Sequence, residues 1–404
     1  MTKSALVYCC RSERQSSHLR RAMEVARKLC DTFDVTVLLG DASANDIEVP
    51  DNVELVFLPA LGIDPDTNVI DLGRSQELRE RLISRRDAMI RVFERLKPRV
   101  VVIENFPFTQ HGLRGEVLPL VERARNGVYG DSLVVCMTEG ILAECNKRGE
   151  SRADKAAELL DRYFDMVVVQ SDPVFARLEE FFQPKNTLHT PLYHTGFVAR
   201  ENGELPPSRD AQLDTILVSA GDGEYGAPLY RAAIEAHKIL GPMLPLPMKI
   251  IAGKLLPEDE WQELLAKADG VSDLILERSV ADLHSEISIA RWSVSQCGYN
   301  TAVHAIRTRT PSLFVPCGNG QRHVQTVRAQ RLVYWGAGRL LMPHHLNGAS
   351  LANEIQQLTK FEPRKIYFDM NGATNAAHLI SQVVYHNDYS SVSARPASDT
   401  TRPH

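Results

Sequence analysis

Ser4-Ala-Leu-Val-Tyr-Cys9, a polar loop, His18-Leu-Arg-Arg-Ala-Met-Glu-Val-Ala-Arg-Lys-Leu-Cys30 and Val35-Thr-Val-Leu-Leu39 open the chain. The first piece is an unbroken apolar run of strand length, and the second carries Leu19, Met23, Ala26 and Leu29 at helical spacing. The third is again a short apolar run, so the stretch reads as strand, helix, strand. Further apolar runs at 53–58, 100–103, 133–137 and 166–170 are separated by helical patterns such as 78–96 and 153–163. Strands alternating with helices imply a parallel sheet covered on both faces.

The pattern breaks at Glu201-Asn-Gly-Glu-Leu-Pro-Pro-Ser-Arg-Asp210, a polar, proline-bearing stretch with the composition of a linker. A second α/β series then starts with a strand at 215–219, a glycine-rich turn and a helix at 228–240, and continues with runs at 248–252, 274–276, 292–295 and 312–315. The expected organisation is a first domain at 1–200, a linker at 201–212, a second domain at 213–386 and a disordered tail at 387–404, rich in Ser, Asp, Pro and Arg. A chain of 404 residues fits two domains, because single cores stop growing at about 250–300 residues.

Hydrophobic residues make up 44% and charged residues 24%, ordinary values for a globular chain. A net charge of -5 supplies no cationic field for a polyanion, which argues against nucleic acid as the main partner. Seven scattered cysteines without metal-ligand spacing, and no signal peptide ahead of them, suit a reducing cytoplasm. Cys9 and Cys10 are adjacent on a strand, face opposite ways and read as buried thiols. No apolar run approaches the roughly 18 residues of a membrane span, so any membrane is touched from outside. The mixed-sign run Arg79-Glu-Arg-Leu-Ile-Ser-Arg-Arg-Asp87 reads as a solvated helix face, with a patch for anionic lipid head groups as the alternative.

In a parallel sheet ligands gather at loops that follow strands, where helix N-termini offer N–H groups. Leu217-Val-Ser-Ala-Gly-Asp-Gly-Glu-Tyr-Gly226 is such a junction: its glycines let the backbone approach a phosphate, although a tight turn that binds nothing has the same look. Trp292-Ser-Val-Ser-Gln-Cys-Gly-Tyr-Asn-Thr-Ala-Val-His304 is a second, with Ser295, Asn300 and Thr301 able to cap its helix. The loop Cys317-Gly-Asn-Gly-Gln-Arg-His323 leads into a helix carrying Gln325 and Arg328. Three polar junctions in one domain favour binding over capping alone. In the first domain His18 opens the first helix, Glu104 ends a strand ahead of Asn105-Phe-Pro-Phe-Thr-Gln-His-Gly112, and Glu139 follows another strand. Each is a candidate proton acceptor or acceptor-contacting group, and each also fits a plain surface or capping role.

Ser17-His-Leu-Arg-Arg-Ala-Met-Glu-Val-Ala-Arg27 resembles the Gly-His-Leu-Arg-Arg opening of a group of bacterial glycosyltransferases related to the N-acetylglucosaminyltransferase that builds the lipid-linked peptidoglycan precursor. Phe106-Pro-Phe, Arg114-Gly-Glu-Val-Leu-Pro119, Val218-Ser-Ala-Gly221, Ser295-Gln-Cys-Gly-Tyr-Asn-Thr301 and Arg328-Ala-Gln-Arg-Leu332 resemble that group in order and spacing. The resemblance covers about residues 6–358. It implies the GT-B fold, two Rossmann-like doubly wound domains facing across a cleft, with a family-28-like nucleotide-sugar domain second and an acceptor domain first. It also implies an enzyme that uses neither a metal nor a cofactor, with a nucleoside diphosphate sugar, UDP by analogy, as donor.

By the same resemblance Ser219, Gly221, Asp222 and Gly223 line the diphosphate, and Gln296, Cys297, Gly298, Asn300 and Thr301 meet phosphate or sugar. Gln325 and Arg328 reach the sugar or diphosphate, the segment Glu277-Arg278-Ser279-Val280 flanks the base through backbone groups, and His18 matches the position of a base or orienting group. The chain departs from the pattern at Ser17, where the group has glycine, and at His304, where related enzymes often carry an acidic residue on the ribose.

The expected reaction is sugar transfer to an acceptor hydroxyl with inversion at the anomeric carbon. His18, or else Glu104 or Glu139, is expected to take the proton. A glycan or lipid-linked acceptor in surface polysaccharide or glycolipid assembly, at the inner face of the membrane, follows from the related enzymes. Two other readings stand beside it: a sugar-nucleotide 2-epimerase using carboxylates such as Glu104, Glu139 and Asp222, and a non-catalytic sugar-nucleotide-binding module.

Overall fold

The computed structural model describes residues 3–10, 16–40, 48–59, 76–108, 114–142, 152–200, 213–241, 243–317 and 322–386; the expected linker and tail lie outside them. The chain divides into two compact units, Met1–Arg200 with Phe368–His404, and Glu201–Tyr367.

The first unit runs β1 (Ser4–Cys10), α1 (Ser16–Leu29), β2 (Phe33–Leu39), β3 (Val53–Phe57), α2 (Gln76–Leu96), β4 (Val100–Glu104), α3 (Arg114–Arg125), β5 (Leu133–Thr138), α4 (Arg152–Tyr163), β6 (Met166–Val169) and β7 (Leu192–His194). The strands pair in parallel in the order β3-β2-β1-β4-β5-β6-β7. Side chains alternate across a strand, so β1 feeds two cores: Val7 and Cys9 enter one, and Leu6, Tyr8 and Cys10 enter the other. The stripe Leu19, Met23, Ala26 and Leu29 on α1 packs into the second of these.

The second unit runs β8 (Leu213–Ser219), α5 (Ala227–Leu240), β9 (Met248–Ile251), α6 (Glu258–Ala268), β10 (Leu274–Glu277), α7 (Leu283–Ile289), β11 (Ala290–Ser295), α8 (Tyr299–Thr308), β12 (Ser312–Phe314), α9 (Arg322–Tyr334), β13 (Arg339–Leu340) and α10 (Gly348–Leu358). Its parallel order is β10-β9-β8-β11-β12-β13. In each sheet the order reverses beside the first strand, at β1/β4 and at β8/β11, and these switch points are where ligands of open α/β sheets bind.

Two expectations are corrected. The second domain does not extend to residue 386: α11 (Gly372–His386) belongs to the first unit, where Ala373, Ala376, Leu379, Ile380 and Val383 join the core beside α1. An apolar helical stripe reads the same whether it packs on its own domain or crosses back. The run at 79–87 is not uniformly solvated either. Arg85 is fully buried, pairs with Glu116 at 3.1 Å and donates to the carbonyls of Gly40 at 3.0 Å and Pro59 at 2.8 Å. A guanidinium out of water is tolerable only with such partners.

Candidate active site

In the first unit the switch point gathers the three residues singled out from sequence. His18 lies in the first turn of α1 after β1, Glu104 is the last residue of β4, and Glu139 directly follows β5. These strands are neighbours in the sheet, so their carboxyl ends meet.

What joins the three is Arg21, one helical turn beyond His18. Its Nη1 donates to Glu139 Oε1 at 2.8 Å, its Nη2 lies 2.9 Å from His18 Nδ1 and 3.5 Å from Glu104 Oε1. Side-chain exposure is 1% for Arg21, 4% for Glu104 and 15% for Glu139, so the cation is sealed and Glu139 is the more open carboxylate. Behind them Tyr8 donates to Met137 Sδ at 3.2 Å. Burial, then the charge of Glu104, raises the Tyr8 hydroxyl well above the phenolic range. Arg21 is not among the candidates drawn from the sequence, although the i, i+3 spacing from His18 places the two on one helix face.

In the second unit Ser219 and Ser295 are register partners at the ends of β8 and β11. The turn after β8 is tied to the loop after β11: Gln296 N–H donates to Ser219 O at 3.2 Å, and Gln296 Nε2 to Tyr225 O at 2.8 Å. Gly223 has φ +94°, and a Cβ there would lie 2.0 Å from the Ala252 carbonyl oxygen. The β8 turn is thus seated directly on the β9 loop, a packing only glycine permits. Gly221, with φ +61°, has open space around its missing Cβ, the kind of place where backbone can come close to a ligand. Asp222 beside it is half-buried, and its carbonyl accepts from Leu255 N–H at 2.8 Å.

Gly298, Asn300 and Thr301 form the N-cap and first turn of α8. Arg328 Nη1 donates to Cys297 O at 2.9 Å and its guanidinium lies over the Tyr299 ring, while Gln325 Oε1 accepts from Cys317 N–H at 3.0 Å. Both side chains are buried, and these contacts brace the loops after β11 and β12 from behind. Ser295 Oγ is buried with no hydrogen-bond partner among the described residues.

The remaining candidates have other side-chain partners, although the Arg278 carbonyl accepts from Gly253 N–H at 2.9 Å beside the β8 turn. Arg278 donates to Leu256 O at 2.5 Å, lies over the Trp261 ring and pairs with Glu258 at 3.6 Å, so its side chain turns toward α6. Val280 packs on a small apolar cluster with Leu217 and Ile287. His304 meets a residue that sequence reading passed over, His284, with Nδ1 atoms 3.4 Å apart, and its Nε2 is 3.3 Å from Ser288 Oγ. Burial, then His284 and Arg307, push His304 down to about 3, against a smaller opposing pull from Asp282, so it is neutral at physiological pH. The loop at 318–321 lies outside the described residues. Among the described residues no three His, Cys, Asp or Glu side chains are grouped so as to hold a metal ion, and no helix is long and apolar enough to cross a membrane.

No protein-family model matches the chain. An uncharacterized glycosyltransferase of Methanopyrus kandleri is 27% identical over 192 residues, which are 45% of this chain and 51% of that protein. The chain thus spans about half the length of the curated relative it matches. Among solved structures, MurG of Acinetobacter baumannii is similar with a TM-score of 0.55 at 16% identity, covering 94% of this chain and 99% of that one. A putative UDP-N-acetylglucosamine 2-epimerase of Listeria monocytogenes gives 0.61 at 13% identity, covering 96% and 98%. The fold of this chain is GT-B.

Proposed function

We propose that the chain is a glycosyltransferase that moves a sugar from a nucleoside diphosphate sugar, with UDP as carrier, to an acceptor hydroxyl. The second unit takes the donor and the first unit takes the acceptor. The observation that carries this reading is the joining of the β8 turn and the β11 loop at one switch point through Gln296, with Arg328 bracing the same loop. Backbone N–H groups at the starts of α5 and α8 then face a diphosphate-sized anion, which is where phosphates bind on such sheets. Ser219, Gly221, Asp222, Gly223, Gly298, Asn300 and Thr301 are the donor contacts in this reading. Arg328 and Gln325 act mainly by holding their loops.

Charge builds on the departing diphosphate as the anomeric bond breaks, and the N–H groups and the nearby Arg328 guanidinium stabilise it, a route that asks for no metal. The acceptor hydroxyl gives its proton to the cluster at the first switch point. One direct displacement inverts the anomeric carbon. The glycosyltransferase of Methanopyrus kandleri supports the transfer reading, and a lipid-linked or glycan acceptor fits the related chemistry.

Incubation with UDP-sugars and a hydroxyl acceptor tests it: acceptor-dependent UDP release with an inverted product is expected. The paired carboxylates Glu104 and Glu139 also suit the epimerase reading. An epimerised sugar nucleotide formed without acceptor would establish that reading and end this one.

A further inference from the structure

The contact between Arg21 and His18 decides which nitrogen of the imidazole carries the proton. A guanidinium has donors only. The His18 nitrogen that lies 2.9 Å from Arg21 Nη2 is Nδ1, so Nδ1 must present its lone pair. A neutral imidazole then carries its hydrogen on Nε2, and a protonated ring would set an N–H against that same donor. For a histidine to act as a base through Nε2, its Nδ1–H needs an acceptor, typically a carboxylate, to fix the opposite tautomer. Here the partner is an arginine, and the arrangement is reversed.

We infer that His18 is a hydrogen-bond donor through Nε2–H, that Arg21 is the positioning residue that fixes this tautomer, and that Glu139 is the general base. The assignment of Glu139 rests on the glycosyltransferase reading above; the tautomer does not. Of the two carboxylates on Arg21, Glu104 is sealed at 4% exposure, whereas Glu139 reaches 15% and can meet a substrate hydroxyl. Arg21 Nη1 holds Glu139 Oε1 in place at 2.8 Å. In the transfer step the acceptor oxygen bonds to the anomeric carbon as the bond from that carbon to the diphosphate oxygen breaks. The electron pair leaves with the diphosphate, and the acceptor proton passes to the Glu139 carboxylate, which later returns it to water. His18 Nε2–H orients the acceptor by donating to a neighbouring hydroxyl or carbonyl oxygen.

Two readouts on the full chain test this. Nitrogen-15 spectra of the histidine side chains, with the His18 signals identified among 13 histidines by their loss in His18→Gln, read the tautomer without any activity. A bare Nδ1 and a protonated Nε2 are expected, collapsing toward a tautomer mixture in Arg21→Met and restored in Arg21→Lys. A protonated Nδ1 in the wild type overturns the inference.

Kinetically, Glu139→Gln is expected to lower kcat by about 10²-fold or more, with KM little changed, and to erase the acid limb of the kcat/KM profile. His18→Gln keeps an N–H donor but cannot serve as a base. It is expected to raise the acceptor KM while kcat falls less than about tenfold and the acid limb stays, since a lost base costs more. Loss of the acid limb in His18→Gln, with Glu139→Gln near wild type, overturns the base assignment. A chain that shows the expected imidazole signals yet transfers no sugar counts against the proposed function, while the tautomer stands.

Discussion

Replacing Arg21 with methionine removes the one described cation that His18, Glu104 and Glu139 share, and leaves a side chain of similar length. The guanidinium is 1% exposed and lies within 3.5 Å of all three partners. Breaking a buried pair by deleting one partner typically costs about 3–5 kcal/mol, because the remaining charge stays out of water without compensation. In a unit of this size each kcal/mol shifts the melting temperature by roughly 2–4 °C, so a fall of about 6–20 °C is expected in the transition of the first unit. Melting followed by circular dichroism measures this, with Arg21→Lys as a milder control. An Arg21→Met protein that melts within about 2 °C of wild type at pH 8 would refute the claim that Arg21 holds the cluster together.

Three further outcomes are expected. Gly223→Ala should destabilise the second unit by about 2 kcal/mol or more, since φ is +94° and the Cβ meets the Ala252 carbonyl, whereas Gly221→Ala in open space should cost about 1 kcal/mol; equal shifts in melting would contradict the packing. His304 has a folded-state value of about 3, below its ordinary 6.5, so the unfolded chain binds more protons between those values and stability falls as pH drops through that window. His304→Gln, which leaves His284, Asp282 and Arg307 in place, should therefore lose less melting temperature than wild type between pH 7 and pH 4.5. Ser295→Ala deletes a buried hydroxyl that has no partner among the described residues, and its melting temperature should stay at or above that of wild type, while a drop would reveal a hydrogen bond made by that oxygen.

The parallel sheets could be read from the chain because period-2 and period-3.6 apolar patterns are local properties. The runs at 4–9 and 215–219 became β1 and β8, and the stripe on α1 is buried as its spacing requires. The chain-return of α11 could not be read, since its small apolar residues do not say which core they fill. Short strands such as β7 and β13 carry too few residues for a pattern. At the site, His18, Glu104 and Glu139 were visible as polar residues following strands, but their common partner was not. Arg21 looks like any helix-surface arginine until the sheet order places the ends of β1, β4 and β5 side by side. The same holds for Arg85, whose charged neighbours suggest solvent while its own position faces Glu116. Arg278 divides its groups: its side chain stacks on Trp261, while its carbonyl accepts from Gly253 N–H.

In the proposed function the second unit binds a nucleoside diphosphate at the β8/β11 switch point. Thermal melting with a panel of nucleoside diphosphates and their sugars tests it most directly, because a ligand that binds only the folded state stabilises it by about 2.7 kcal/mol at a hundred times its Kd. A rise of several degrees with UDP or a UDP-sugar, absent in a folded Gly223→Ala protein, is the predicted result. No rise with any nucleoside diphosphate, or an equal rise in Gly223→Ala, would contradict it.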